Sequence, residues 1–444
     1  MLSLLRKSRW AAGTPALRAS ASSVLPRASH RARVISYVPV PSEERPYAAS
    51  DRIEPLHLYR PGGYHPVKLG DRLKDGRYKI FHKLGWGHYS TTWAVWDEAL
   101  GKSVAVKISV SDKDNKNNHE TEILKSISAV SDNHHPGQIH LLQLFDNFHF
   151  DGPNGRHECF VSELLGPNIR DTVKDVYCNK RLPASLAKST ARQVLLGLDC
   201  LKQHRVAHGD IDSSNLAFVI PRLRLLDEEE FIDTLQLPQL ELINTPDSTR
   251  SPDNLPPYLV WKPRWNDRKI QEEIRSSPKV KMIDFGESFY HGQSPSELNV
   301  SLPSYPPEAL FGDPLGGRVD LWAMGCLLFE LFTRETRFSS DLIARDDLAK
   351  QMVLGSADEL PTRWKGKWHE IEKTGPTLLH RSIEFRQWFE RVYYQHGCEK
   401  ELTERDVAKV VDIIERMLKF EPLARAEAKE ILEDPWFKEC KKKN

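Results

Sequence analysis

The chain has 444 residues, more than the ~100–200 of an ordinary single domain, which suits a two-lobed enzyme with extensions. A hydrophobic fraction of 39% supplies a core, and a net charge of +1 gives no bulk electrostatic reason to expect nucleic acid as a partner. No apolar run reaches the ~18–20 residues of a membrane span; the best, LWAMGCLLFELF, is shorter, carries Glu330 and reads as a buried helix.

In chain order, residues 1–42 come first. Arg6, Lys7, Arg9, Arg18, Arg27, Arg31 and Arg33 precede the first acid, Glu43. That composition fits a mitochondrial transit peptide and equally a basic disordered segment. Residues 43–77 include RPGGYHP and read as an extended lead-in. From Tyr78, the runs YKIFHKLG, STTWAVWD and KSVAVKIS are β-rich and separated by turn residues. The charged link SDKDNKNN leads to ETEILKSISAV, where Ile123, Leu124, Ile127 and Val130 recur at helical spacing. ECFVSELLGPN predicts a further strand ended by Gly-Pro. Helices then dominate, beginning with SLAKSTARQVLLGLDCLKQH, amphipathic through Ala187, Ala191, Val194, Leu198 and Leu201.

Strands with one helix, followed by a helical half, describe an α+β bilobal enzyme with an N-lobe at 78–165 and a C-lobe at 166–437. The stretch from about 219 to 279 is long for a connection and reads as an insertion. A basic tail occupies 438–444. Cysteines 159, 178, 200, 326, 398 and 440 form no CxxC pair and are expected as free thiols.

The chemistry-bearing residues follow the same order. In LGWGHYSTTW, Gly85 and Gly87 allow backbone to approach phosphates with no Cβ in the way, as in G-x-G-x-x-G, with Ser90 in place of the third glycine. An ordinary hairpin has the same appearance; the position between two strands and before VAVK favours the phosphate reading. Alternation in VAVKI puts Ala105 and Lys107 on one face. Glu120 shares a helix face with Ile123, Leu124 and Ile127, whereas Glu122 lies about 200° away, so Glu120 is the expected partner of Lys107. HGDIDSSN and the later IDFG bring Asp210, Asn215 and Asp284 around a phosphate and its Mg2+. Asp210 would accept or orient the proton of an attacking hydroxyl, and Asn215 and Asp284 would be oxygen ligands. His208 reads as a packed structural histidine. Arg425, in LKFEPLARAEAKEIL, is placed to pair with Glu308 of the PPE at 306–308, and DLWAMG stands between them.

Over about residues 78–437 this pattern resembles the eukaryotic protein kinases. It is most similar to the SR-protein kinases of compact fungal type through LGWGHYST, YHPVKLGDRLKDGRY, SELLGPN and IDFGES, and through its insertion. The resemblance implies the bilobal protein-kinase fold, with ATP and Mg2+ as cofactors. It implies transfer of the γ-phosphate to Ser or Thr of Arg/Ser-rich proteins, and with it regulation of mRNA splicing factors. A monomer of cytoplasm and nucleus is implied, with mitochondrial import through residues 1–42 as the competing destination. The catalytic set implied is Asp210, Lys107, Glu120 and Asn215. Nucleotide contacts are implied for Leu84, Gly85, Gly87, Ser90, Thr92, Ala105, Lys107, Glu163 and Leu165. Thr92 replaces the valine that covers the adenine, Leu165 offers its backbone, and Ser162 leaves room at the back of the pocket.

Departures from the family pattern carry their own expectations. Gly209 replaces the arginine of H-R-D that pairs with a phosphorylated activation segment, which implies constitutive activity. Asp212 stands where the family places a lysine. At an effective dielectric near 20, a carboxylate ~4 Å from a phosphate charge costs on the order of 4 kcal/mol. Asp212 is therefore expected to turn away, to meet a cation or to slow turnover, and its replacement by Asn or Lys to raise the rate. Asp346 and Asp347, or the DEEE at 227–230, are candidates for holding arginines. A pseudokinase scaffold and a small-molecule kinase are the rival readings; PPE, DLWAMG and Arg425 favour a protein kinase.

Overall fold

The computed structural model describes residues 52–111, 120–129, 135–178, 180–243, 253–338, 344–356, 358–374, 384–395 and 401–438. The basic segment 1–42, nearly all of the charged link, Val130, Cys398, Cys440 and all but the first residue of the basic tail lie outside the described residues.

The alternating runs after Tyr78 pair into an antiparallel sheet of six strands in the order β1-β2-β3-β4-β6-β5. These are β1 (Arg72–Leu73), β2 (Tyr78–Gly87), β3 (Ser90–Asp97), β4 (Lys102–Ser109), β5 (Leu144–Gly152) and β6 (Gly155–Glu163). The two-residue period sorts the sheet faces. Val104, Val106 and Ile108 of β4 join one apolar cluster with Val67, Trp93 and Val161, while Ala105 belongs to the main core. Helix α1 (Glu120–Ala129) packs Ile123, Leu124 and Ile127 inward, with Glu120 buried beside them and Glu122 exposed.

The larger lobe begins with α2 (Ile169–Asp175), capped by the Asn168 side chain, which accepts from Asp171 N. Helix α3 (Ala184–Gln203) buries the face the sequence predicts. Two small antiparallel pairs frame the loops that matter. One joins β7 (Val206–Ala207) to β12 (Phe289–Tyr290), the other β8 (Leu216–Phe218) to β11 (Val280–Met282). They hold residues 208–215 and 283–288 side by side. Helix α6 (Pro307–Phe311) and α7 (Val319–Thr333) follow, and α7 is buried nearly all round, as its apolar sequence requires.

Between β8 and β11 the chain forms α4 (Glu228–Leu235), a hairpin of β9 (Leu240–Leu242) and β10 (Tyr258–Val260), and α5 (Arg268–Ser276). These elements do not hang outside the lobes. Phe231 and Leu235 of α4 and Ile270 and Ile274 of α5 enter the main core, and Val260 enters the sheet's apolar cluster. The acidic run at 227–230 builds the start of α4: Asp227 and Glu230 form a reciprocal capping box and Glu228 pairs with Lys79 at 2.5 Å. The lead-in is likewise built in. Glu54 makes an ion pair with Lys83 of β2, and both side chains are fully buried.

Candidate active site

The sheet, α1 and the two framed loops converge on a cleft of about 920 Å³. Its lining includes Leu84, Gly85, Gly87, Ser90, Thr92, Ala105, Lys107, Glu163 and Leu165 from the smaller lobe and hinge, and Asp210, Asn215 and Asp284 from the larger lobe. Every residue expected around a nucleotide is therefore at one place. Glu120 stands behind them: Lys107 Nζ donates to Glu120 Oε1 at 2.6 Å and to Asp284 Oδ1 at 2.7 Å. Burial alone would lower the lysine's pKa; the charges of Asp284 and Glu120 outweigh it and keep the amine firmly protonated. Partial desolvation within the cleft would raise the Asp284 carboxyl, but Lys107 overrides it and holds the group at about 2.

Asp284 adopts a left-handed φ of 61°, a conformation that Asp tolerates better than most residues. His208 is fully buried, packs its ring 4.7 Å from Phe285 and bonds the Ile283 carbonyl, so it braces this turn from beneath. Burial lowers its pKa to about 4, against the pull of Asp284, and it stays neutral as a structural group. The main-chain N–H groups of His208 and Gly209 donate to the buried carboxylate of Asp320 on α7 at 2.7 and 2.8 Å, which fixes the loop on the larger lobe.

Asn215 Nδ2 donates to the Asp210 carbonyl at 2.9 Å and to Asp210 Oδ2 at 2.7 Å, leaving the amide oxygen unengaged by either bond. Asp210 Oδ1 is buried without a hydrogen-bond partner among the described residues. Burial, then the charges of Asp212 and Asp284, push the Asp210 carboxyl up to about 8. A buried orphan acceptor among crowded acids fits a site completed by a cation and a hydroxyl. The protein side of such a cation site is one carboxylate and one amide oxygen. That is the sparse, all-oxygen set used where phosphates supply the remaining ligands. At Gly85 and Gly87 an added Cβ would meet nothing within 4 Å, so the protein's own packing does not demand glycine there. An open cradle beside glycine backbone is what a phosphate group would fill.

Asp212 does not face the cradle as a bare charge. Its Oδ1 accepts from Ser214 N, Ser214 Oγ and Asn215 N, and its Oδ2 lies 3.3 Å from Arg170 Nη2. It is the N-cap of the short helix Ser213–Asn215, and so holds Asn215 in place. The expected repulsion is answered by capping and by a cation. Gly209 has φ of +82°, and a Cβ would lie 2.3 Å from the Glu287 carbonyl oxygen, so an arginine would not fit here without a shift of the backbone.

Glu163 departs from the simple expectation of a nucleotide contact. Its carboxylate is buried behind the cleft, paired with Lys281 and Arg224 and accepting Gln143 N at 3.0 Å, so only its main chain remains for a ligand. Ser162 lines the cleft beside it. Glu330 and Arg170 on the cleft wall were not anticipated as site residues. Glu330 accepts Ser213 Oγ at 2.5 Å and burial raises its pKa to about 7. An acid within the apolar run LWAMGCLLFELF was the signal that could have marked it. Asp346 is bonded by Thr374 Oγ1 at 3.3 Å, and Asp347 is exposed.

This fold and cleft are those of a protein kinase, and a family model described as protein kinase domain matches residues 78–227 and 271–437. The serine/threonine-protein kinase SRPK of Physarum polycephalum is 30% identical over 404 residues, covering 85% of this chain and 90% of the relative. The protein kinase dsk1 of Schizosaccharomyces pombe is 25% identical over 472 residues, covering 86% and 84%. SRSF protein kinase 3 of Homo sapiens is 39% identical over 166 residues, covering 36% of this chain and 29% of that protein. The chain belongs to the protein kinase family, in its SRPK-type branch, and is an ATP-dependent serine/threonine kinase acting on protein substrates. Among the described residues no helix is long and apolar enough to cross a membrane.

Proposed function

We propose that this kinase transfers the γ-phosphate of Mg2+-bound ATP to serine or threonine in Arg/Ser-rich proteins, splicing factors foremost. The observation that carries the reading is the three-way junction of Lys107, Glu120 and Asp284 above the Asp210–Asn215 pair. Lys107 would bind the α and β phosphates and Glu120 would orient it. Asn215 Oδ1 and the Asp284 carboxylate would hold Mg2+, which neutralises charge on the phosphates when bound. Asp210 presents the orphan oxygen that would take a substrate hydroxyl's hydrogen bond. Leu84, Thr92 and Ala105 would enclose the adenine, with main chain from Glu163 and Leu165.

Support for a basic substrate comes from the name SRSF protein kinase borne by several relatives and from the acids on the cleft wall (Asp210, Asp212, Asp284, Glu287 and Glu330), which stand there beside Arg170, Lys174, Lys262 and Arg334. The engaged Asp212 removes the main argument for a pseudokinase. The deciding assay compares an Arg-Ser repeat peptide with a generic basic protein under Mg-ATP. The peptide is expected to be the better substrate, and Asp210→Ala to lose roughly 10²–10⁴-fold in kcat. Equal use of both proteins would sink the substrate class; an unaffected Asp210→Ala would sink the mechanism. We place the enzyme, as a monomer, in cytoplasm and nucleus; a fluorescent reporter fused to residues 1–45 that enters mitochondria would overturn that placement.

A further inference from the structure

The end of the extended lead-in packs against the sheet. Tyr64 is 1% exposed, and its phenol donates to the carbonyl of Gly87, at the tip of the β2–β3 hairpin. Tyr64 is itself locked. Its N–H donates to Leu58 O at 2.9 Å, its carbonyl accepts from Asn154 Nδ2 at 2.5 Å, and its ring meets Tyr59 edge-on at 5.5 Å. The bend before it admits only glycine, since a Cβ on Gly63 would lie 2.0 Å from Leu58 O. Tyr59 in turn donates at 2.5 Å to Glu54, the partner of Lys83 on β2. The lead-in thus grips the same strand twice, just before the glycines and at their end.

A peptide unit is planar and trans, so its C=O and N–H point in opposite directions. Holding the Gly87 carbonyl on the buried side turns the His88 N–H the other way. Gly87 and His88 both line the cleft. Gly87 pairs with Ser90 at the very end of the β2–β3 ladder, and with no Cβ and open space around it this last peptide is held less firmly than one in mid-strand.

We propose that Tyr64, which lies upstream of the matched kinase domain, is a positioning residue for the glycine loop: its phenol pins the Gly87–His88 peptide so that the N–H faces a nucleotide phosphate. This rests on the reading that the loop cradles ATP phosphates. Tyr64→Phe removes one oxygen and keeps the packing. Affinity for ADP should fall roughly fivefold to tenfold, the loss of one charge-assisted hydrogen bond. Adenosine, which has no phosphate, should bind within about twofold of wild type, a difference too small for a lost hydrogen bond. KM for ATP should rise in parallel while KM for the peptide substrate and the melting temperature stay put. An unchanged ADP affinity, or equal losses for ADP and adenosine, overturns the assignment. Lys107→Met separates the two levels. If it weakens ADP while Tyr64→Phe does not, only the tyrosine's role fails; if neither variant weakens ADP, the cradle reading falls as well.

Discussion

Two of the cation–glutamate pairs in this enzyme, one in each lobe, are built in opposite ways. Arg425 meets Glu308 through two parallel bonds at 2.7 and 2.5 Å, with side chains 0% and 2% exposed. Further Arg425 bonds go to the carbonyls of Lys419 and Arg318, so four of its five N–H donors are taken up by the protein. Lys107 instead divides its charge between buried Glu120 and Asp284, a carboxylate 46% exposed to the cleft. The first pair is closed and fixes to the larger lobe the end of the activation segment, the stretch from Asp284–Gly286 to the PPE at 306–308. The second is shared, so a phosphate can take the lysine and a cation can take Asp284. Burial and completeness make an architectural pair; an exposed third partner makes an exchangeable one.

Breaking each pair tests that contrast. Lys107→Met should lose roughly 10²-fold or more in kcat/KM, the cost of removing a charge aimed at the transferring phosphates, while the melting temperature changes little. Glu308→Ala should do the reverse in rank. It strands a buried guanidinium and should cost about 3–5 kcal/mol of stability, read by denaturant unfolding, before any kinetic effect is considered. If Lys107→Met unfolds the small lobe, or Glu308→Ala is neutral in stability, the distinction between the pairs is wrong.

The convergence of the candidate site residues on one cleft was legible because each is set by a short-range period. A strand's alternation puts Lys107 beside Ala105, a helix's turn selects Glu120 over Glu122, and a tight loop fixes Asp210 against Asn215. Edge elements were harder. Strand β5 was missed: the alternation in FDNFHF before GPNG was a signal, but this strand is only half-buried and its apolar face is weak. Two capping signals were present and were assigned to other work. Asp227 followed by Glu230 is a helix start, and Asp212 followed by Ser-Ser-Asn is an N-cap. What no local pattern carries is the setting of Glu163, whose partners Arg224 and Lys281 lie 61 and 118 residues away.

The capping role changes what Asp212 predicts. Removing a charge that repels phosphate would raise the rate; removing a cap should cost about 1 kcal/mol of stability and loosen Asn215. Asp212→Ala is therefore expected to melt earlier and to turn over no faster than wild type. Asp212→Asn, which keeps the capping oxygen, should retain most of the stability. A faster Asp212→Asn enzyme would mean that the charge still reaches the γ-phosphate despite Arg170.

The smallest effect expected is at the activation segment. Gly209 excludes the arginine that would read a phosphate there, and unmodified contacts already hold the segment. Asn299 N donates to Glu287 at 3.1 Å, Ser294 Oγ donates at 2.5 Å to Leu315 O, and Ser301 and Ser304 bond each other at 3.2 Å. The hydroxyls act as neutral donors, each worth about 1 kcal/mol, and the closed Arg425–Glu308 pair anchors the segment's far end independently of them. Alanine at Ser294, Ser296, Ser301 and Ser304 together should thus leave kcat within about twofold, with a modest drop in melting temperature from the lost bonds. A large fall in kcat, restored by acidic residues at the same positions, would show that the segment waits for phosphate after all, and that the closed pair is insufficient to set the active geometry.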